Sequence, residues 1–463
     1  MASGPDRPAV TQSSDRLLLL VTFTLLGACF VTGGSSQETG LGAIITQLLA
    51  IPVLFYALTL ALQRGRVVDA WPSIALMALI MLVPLLQLLP IPESIWKWPP
   101  SRSRLDQDLS TAGVSGVHYF STLAPAATKR AALFLLPAAA LFFSALALNR
   151  ESLRRVLWQV IVMSALGLLL GIAQLGFAQD SILNPYPQYT PSAAGVFANP
   201  NHQADALVVG LILTAALALD ERRRIRRAGG SRAKQRLLFA LCLLFGLGVL
   251  LVRSRAGIII GIFATVAVLI AGRSISLQAA RGNWMTRLRL LTVAAGLALA
   301  VYAASVGLQV EEIDPMSGLR GLVAKQTMLL GVQAAPLGTG IGSFVPVFEQ
   351  EADSSFLENE YMNHAHNEYV QWWLEGGVLA IACMVLAAVV LLLAAKVLVR
   401  LGDSRLRSNG LAALTAIAAI LAHCVVDYPL RTPALAAIFA VLAGAVFSAA
   451  AQAKASTFVG RVN

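Results

Sequence analysis

Apolar runs of about twenty residues recur from one end of this chain to the other, each long enough to cross the roughly 30 Å hydrocarbon core of a bilayer as a helix. Of the 463 residues, 57% are hydrophobic and 13% are charged. A soluble domain of this size would have to cover itself with polar side chains, and these are too few. The chain reads as an all-α, polytopic membrane protein. A soluble enzyme, a nucleic-acid-binding module and a disordered scaffold are excluded, despite a net charge of +11. Cys29, Cys242, Cys383 and Cys424 all fall inside apolar runs without CxxC spacing, and read as buried thiols.

Twelve spans are predicted. They are Leu17–Thr32, Leu41–Leu62, Trp71–Ile91, Ala131–Leu148, Val156–Ala178, His202–Leu219, Leu237–Val252, Ala256–Ala271, Leu290–Leu308, Gly377–Ala395, Gly410–Val426 and Ala434–Ala451. The first follows a polar stretch, Met1–Arg16, and ends in Thr-Gly-Gly rather than a small-residue cleavage site, so it reads as a retained anchor. Lys and Arg collect on the cytoplasmic side, and the most basic loop, Asp220–Arg236, fixes the orientation. With that loop and both termini inside, 25 of the 35 basic residues lie inside, while the acidic residues fall mostly outside.

The exceptions to that bias carry chemistry. Arg253 and Arg255 sit in a tight outer turn, Val252-Arg253-Ser254-Arg255, between two apolar spans. A cation at that boundary either snorkels to water or meets an anion. The longest outer segment, Gln309 to His366, opens on Glu311-Glu312-Ile313-Asp314 and holds two cations, Arg320 and Lys325. Its run Pro336-Leu337-Gly338-Thr339-Gly340-Ile341-Gly342-Ser343-Phe344 lacks the spacing of a nucleotide loop, and reads as a tight turn bringing backbone against membrane helices. It ends in Asn363-His364-Ala365-His366-Asn367-Glu368. From Asn367 a short interfacial helix with paired Trp372-Trp373 is expected, broken at Gly376-Gly377 before the next span.

Two histidines beside a membrane boundary fit proton transfer near neutral pH. His-x-His with nearby carboxylates also has ligand types for a metal, and a polar turn is the plain alternative. His423 and Asp427 stand four apart near the outer end of the eleventh span; the spacing predicts one helix face, with Asp427 holding His423 or an arginine. Asn199-Pro200-Asn201-His202 opens the sixth span as a helix cap. Asp106-Gln107-Asp108 has the DxD spacing of metal-dependent sugar transferases, but faces a compartment without nucleotide sugars and is set aside.

In order and sidedness, several pieces together resemble the O-antigen ligase and polysaccharide polymerase superfamily of bacterial inner-membrane glycosyltransferases. They are Gly195-Val196-Phe197-Ala198-Asn199-Pro200-Asn201, Ser254-Arg255-Ala256-Gly257, Arg320, the Pro336–Phe344 run, His366-Asn367-Glu368 with Glu375-Gly376-Gly377, and His423…Asp427…Pro429. The resemblance spans Gly195 to Pro433. Together with the predicted spans it divides the chain into transmembrane helices over residues 1–190, which resemble the family only in being hydrophobic, a ligase-like core over 191–451 with a periplasmic loop at 309–376, and a cytoplasmic tail at 452–463.

The implied activity is glycosyl transfer at the periplasmic face, without metal or cofactor, from a polyprenyl-diphosphate-linked glycan to a hydroxyl of a glycan, of lipid A core or of a protein. A departing diphosphate develops negative charge, which arginine forks can stabilise. Arg255 and Arg320, and after them Arg253, are the expected diphosphate ligands, and His366 the expected catalytic group. Asn367, Glu368, His364, His423, Asp427, Asn199 and Asn201 are expected to support them. The alternatives are a twelve-span secondary transporter, which predicts internal repeats and midplane charges, and a non-catalytic partner of an envelope polysaccharide export complex.

Overall fold

The computed structural model describes residues 9–36, 40–114, 119–178, 180–186, 193–227, 229–271, 315–351, 362–401 and 405–462. Among these, the secondary structure is helical, with one isolated antiparallel bridge between Pro90 and Phe120. Nine of the twelve expected spans fall on helices long and apolar enough to cross a membrane. Two fall on shorter apolar helices, Trp71–Gln87 and Arg255–Leu269. The expected span Leu290–Leu308, with Glu311, Glu312 and Asp314 after it, lies outside the described residues.

Local signals set the helix ends. Pro125, Pro200 and Pro433 each open a helix, where a missing N–H costs nothing and the ring pre-sets φ. Asn149 caps Arg150–Gln174 by accepting from the backbone N–H of Glu151 and Ser152 at 3.0 and 2.9 Å. Packing then sorts the helices. Pro200–Arg226 and Pro433–Val462 form the centre, their apolar windows 83% and 89% buried. Pro433–Val462 lies against Pro125–Ala147 and Arg405–His423, and its many alanines let these backbones approach closely. Outer helices turn leucines and phenylalanines such as Leu48, Phe55, Leu243, Leu247, Leu392 and Leu393 outward. An apolar belt of that extent is what a bilayer covers.

The described parts of the long segment before Glu368 are themselves folded. Helices Pro315–Ala334 and Phe344–Glu351 enclose a small separate core of Val323, Leu330, Ala334, Phe344, Phe348, Met362, Ala365 and Leu374. This cap sits on the first turns of Glu368–Arg400. That helix is broken at Gly377, whose φ of 55° and ψ of −139° leave the helical region, as the Gly-Gly pair foretells. Here the glycine run makes its close approach: a Cβ on Gly377 would lie 2.2 Å from the Pro336 carbonyl oxygen, and one on Gly338 2.6 Å from that of Glu375. Both residues have positive φ, so only glycine fits the space and the conformation together. The segment carrying Pro336–Phe344 is thereby pressed onto the helix break.

Candidate functional site

Helix ends and loops from across the sequence meet where the cap sits on the bundle. Four histidines converge there: His202 in the first turn of Pro200–Arg226, His364 and His366 before Glu368–Arg400, and His423 at the end of Arg405–His423. Tyr428 lies among three of them, its ring centroid 5.1, 4.2 and 5.0 Å from those of His202, His364 and His366.

Asp427 is the anionic centre of this group. Its carboxylate accepts from Asn201 Nδ2 at 2.7 Å, from Asn199 Nδ2 at 3.2 Å and from its neighbour Tyr428 N at 2.9 Å. Its Oδ1 stands 3.6 Å from His366 Nδ1 and 3.7 Å from His202 Nε2. Burial alone would raise the carboxyl's pKa, but the His202 and His366 imidazoles facing it hold it well below the ordinary value. At 3.6 Å, Asp427 is beyond hydrogen-bond reach of His366 Nδ1, which is buried without a partner, so the carboxylate acts on this ring through its charge. His366 also holds a φ of 50°, rare for a residue with a branched environment and no glycine freedom. Such strain, of order 1–3 kcal/mol, persists where the surroundings enforce it, and points to a site.

One expectation is corrected here. Asp427 does not hold His423 through its side chain. The helix ends at His423, so Asp427 lies past it and the shared-face geometry does not apply; only the backbone link Asp427 N–H to His423 O, 3.0 Å, remains. The carboxylate turns to Asn199 and Asn201, while His423 Nδ1 pairs with Asp205 Oδ1 at 2.7 Å. Asn199 performs the expected cap, accepting from Asn201 N at 2.9 Å, and its amide also serves Asp427.

Behind His364 lies a second ionic group. Arg431 reaches Glu368 Oε2 through Nε at 3.0 Å and Glu375 Oε2 through a terminal nitrogen at 2.9 Å. Burial works against this guanidinium's charge, but the Glu375 and Glu368 carboxylates hold its pKa above the ordinary value. Gln371 joins the two groups, donating to Glu375 Oε1 at 3.1 Å and standing 3.2 Å from His364 Nδ1. Burial, and after it the Arg431 charge, hold the His364 pKa well below 6.5, so this ring is neutral. Asn367 caps the helix that follows, accepting from Tyr369 N and Val370 N at 3.1 Å each, and donates to the Val425 carbonyl at 2.9 Å.

The arginines expected at a diphosphate lie on two elements, Pro315–Ala334 and the turn before Arg255–Ala271. Arg320, on Pro315–Ala334, acts electrostatically on His423, and its Nε is buried without a hydrogen-bond partner. Arg253 is exposed and closes its helix in the left-handed conformation, φ 59°. Ser254 caps the next helix by accepting from Gly257 N at 3.1 Å. A Cβ on Gly257 would stand 2.7 Å from Ala204 Cβ, so the turn carrying Arg253 and Arg255 packs beside the first turn of Pro200–Arg226.

Several members were not foreseen: Asp205, Arg431, Glu375, Gln371 and Tyr428. Two had a signal. Asp205 is an acidic residue inside an expected span, where ionisable groups are rare and functional by default; Arg431 is the lone cation of its outer turn. From the first half of the chain, Gln87 bridges the Glu375 carbonyl and Ile341 N at 2.9 Å each, and the buried Arg102 donates to the Gly338 carbonyl at 3.0 Å.

Beside the ionic groups an apolar cavity of about 260 Å³ runs between Trp71–Gln87, Pro125–Ala147, Glu368–Arg400 and Pro433–Val462. Met77, Phe134, Trp372 and Phe439 line it, and Glu368 and Arg431 form its polar end. Among the described residues, no three His, Cys, Asp or Glu side chains are arranged as a metal-ligand set.

The O-Antigen ligase family model matches residues 239–385. That stretch contains Arg253, Arg255, Arg320, His364, His366 and Glu368, but not Asn199, Asp205, His423, Asp427 or Arg431, which the fold brings to it. No curated protein matches the chain. The protein is thus a multi-pass helical membrane protein with an O-antigen-ligase-like region.

Proposed function

We propose that the protein is a metal-independent glycosyltransferase that moves a glycan from a polyprenyl-diphosphate carrier to an acceptor hydroxyl at the outer, periplasmic face of a bacterial inner membrane. The reading rests above all on one observation. His366 sits within the matched stretch at a φ of 50°, its Nδ1 3.6 Å from the buried carboxylate of Asp427. Nε2 of His366 takes the acceptor's proton, and Asp427 steadies the resulting imidazolium. The acceptor oxygen bonds to the anomeric carbon as the carbon–oxygen bond to the diphosphate breaks, its electron pair leaving with the diphosphate. Arg320 and Arg255 meet that charge, and the apolar cavity takes carrier or acceptor hydrocarbon. Long lipid-linked chains, joined to lipid A core or a protein, make it a ligase; single units joined to a glycan make it a polymerase.

The test is transfer in proteoliposomes given purified lipid-linked donor and acceptor. His366→Ala should lose about 10²–10⁴-fold in turnover with donor binding retained. Normal turnover by that variant removes the catalytic histidine. Activity lost to a chelator and restored by a divalent ion removes the metal-free mechanism.

A further inference from the structure

The transfer has two charged ends, the hydroxyl that loses a proton and the diphosphate oxygen that gains an electron pair. His366 and Asp427 serve the first. Resting on the transferase reading above, we propose that His423, positioned by Asp205, is a diphosphate ligand serving the second, beside Arg320.

The geometry resembles that of His366 but is tighter and drier. His423 and Asp205 are both buried, 0% and 3% exposed, and lie on different helices, Arg405–His423 and Pro200–Arg226. The 2.7 Å bond from His423 Nδ1–H to Asp205 Oδ1 fixes both tautomer and ring direction. His423 Nε2 is buried and has no hydrogen-bond partner. Arg320 acts on this imidazole, and its own Nε is likewise buried and unpartnered. A buried polar nitrogen left unpaired is unfavourable. Each of these nitrogens, on a cation and on an imidazole, is a donor that an anionic oxygen would satisfy. The charged and titratable groups acting on His423 are Asp205, Asp427 and Arg320, so one anion here meets two cationic donors backed by two carboxylates.

During transfer His423, as the imidazolium with Nδ1–H on Asp205, donates its Nε2–H to the departing diphosphate, while the acceptor's proton goes to His366. No oxidant or further co-reactant is needed. The two aspartate–histidine pairs thus divide the work: Asp427 acts by its charge on the group that faces the acceptor, and Asp205 orients the group that faces the leaving diphosphate. A purely structural Asp205–His423 pair would tie two helices together without distinguishing one phosphate from two.

Binding of farnesyl diphosphate, farnesyl monophosphate and farnesol to the full chain in detergent micelles separates these cases. The wild type should bind them in that order. His423→Gln and Asp205→Asn should each weaken farnesyl diphosphate about 10–100-fold, the worth of one hydrogen bond to a charged group, and leave farnesol unchanged. The double variant, Asp205→Asn with His423→Gln, keeps a neutral hydrogen-bonded pair in case a single variant fails to fold. A wild-type preference for diphosphate that survives in the folded variants overturns this inference alone. A wild type that does not prefer farnesyl diphosphate to farnesol overturns the transferase reading, and this inference with it.

Discussion

Replacing Arg431 by methionine should destabilise the protein severely, and the structure says by how much. The guanidinium lies 3.0 Å from Glu368 and 2.9 Å from Glu375, with the three side chains 10%, 6% and 0% exposed. Methionine fills most of the volume but leaves two carboxylates facing one another away from water. Removing one partner of a buried ion pair costs about 3–5 kcal/mol, because the remaining charge is left uncompensated. Glu375 keeps its bond from Gln371, which softens the loss only in part. Unfolding in mixed micelles of rising SDS fraction, followed by circular dichroism, measures the change. The triple variant Arg431→Met, Glu368→Gln, Glu375→Gln should return to within about 1 kcal/mol of the wild type, since matched neutral groups can replace a buried ion cluster nearly without cost. A single variant as stable as the wild type, or a triple variant no better than the single one, would refute the electrostatic reasoning.

Gly377→Ala should both destabilise the protein and impair turnover, since its Cβ would meet the Pro336 carbonyl oxygen at 2.2 Å and its φ is 55°. An alanine held in this glycine-only backbone region costs about 1–3 kcal/mol before the clash is counted. Gly321→Ala, in a helix with nothing within 4 Å of the new Cβ, should instead stabilise by about 0.5–1 kcal/mol in the same unfolding assay. Asp427→Asn should lower turnover about 10²–10⁴-fold, because a neutral amide cannot steady the imidazolium. Acid should weaken the fold in two stages. His364 is held neutral well below 6.5, so the unfolded chain takes up its proton first and stability falls as pH drops below about 6.5. Asp427 is held ionised below 3.8, and its contribution goes as pH falls further, through its folded value. His364→Gln should flatten the first stage; an unchanged profile would remove His364 from it.

The spans were legible because a bilayer demands about twenty apolar residues per crossing, whatever those residues touch. The helix break at Gly377 and the Asn199 and Asn367 caps were legible too, since each depends on its immediate neighbours. His366 stood out as a titratable group beside an apolar run. Asp205 was present in plain view as an acid within a span, yet nothing local says that it faces His423, 218 residues further on. The pairing of His423 failed for a local reason: the four-residue spacing binds two side chains only while the helix continues, and this one ends at His423.

Sequence alone therefore determined what each segment must do in its solvent: cross lipid, turn, or stay at the membrane boundary with its charges. It did so because hydropathy, capping and backbone freedom act over a few residues. Which charge meets which was decided by tertiary structure alone. The cap, pressed onto the break at Gly377, and the ends of three helices bring His366 to Asp427 and Arg431 to its two glutamates. These partnerships exist only because a buried ion in a water-poor interior must find its complement wherever packing places one.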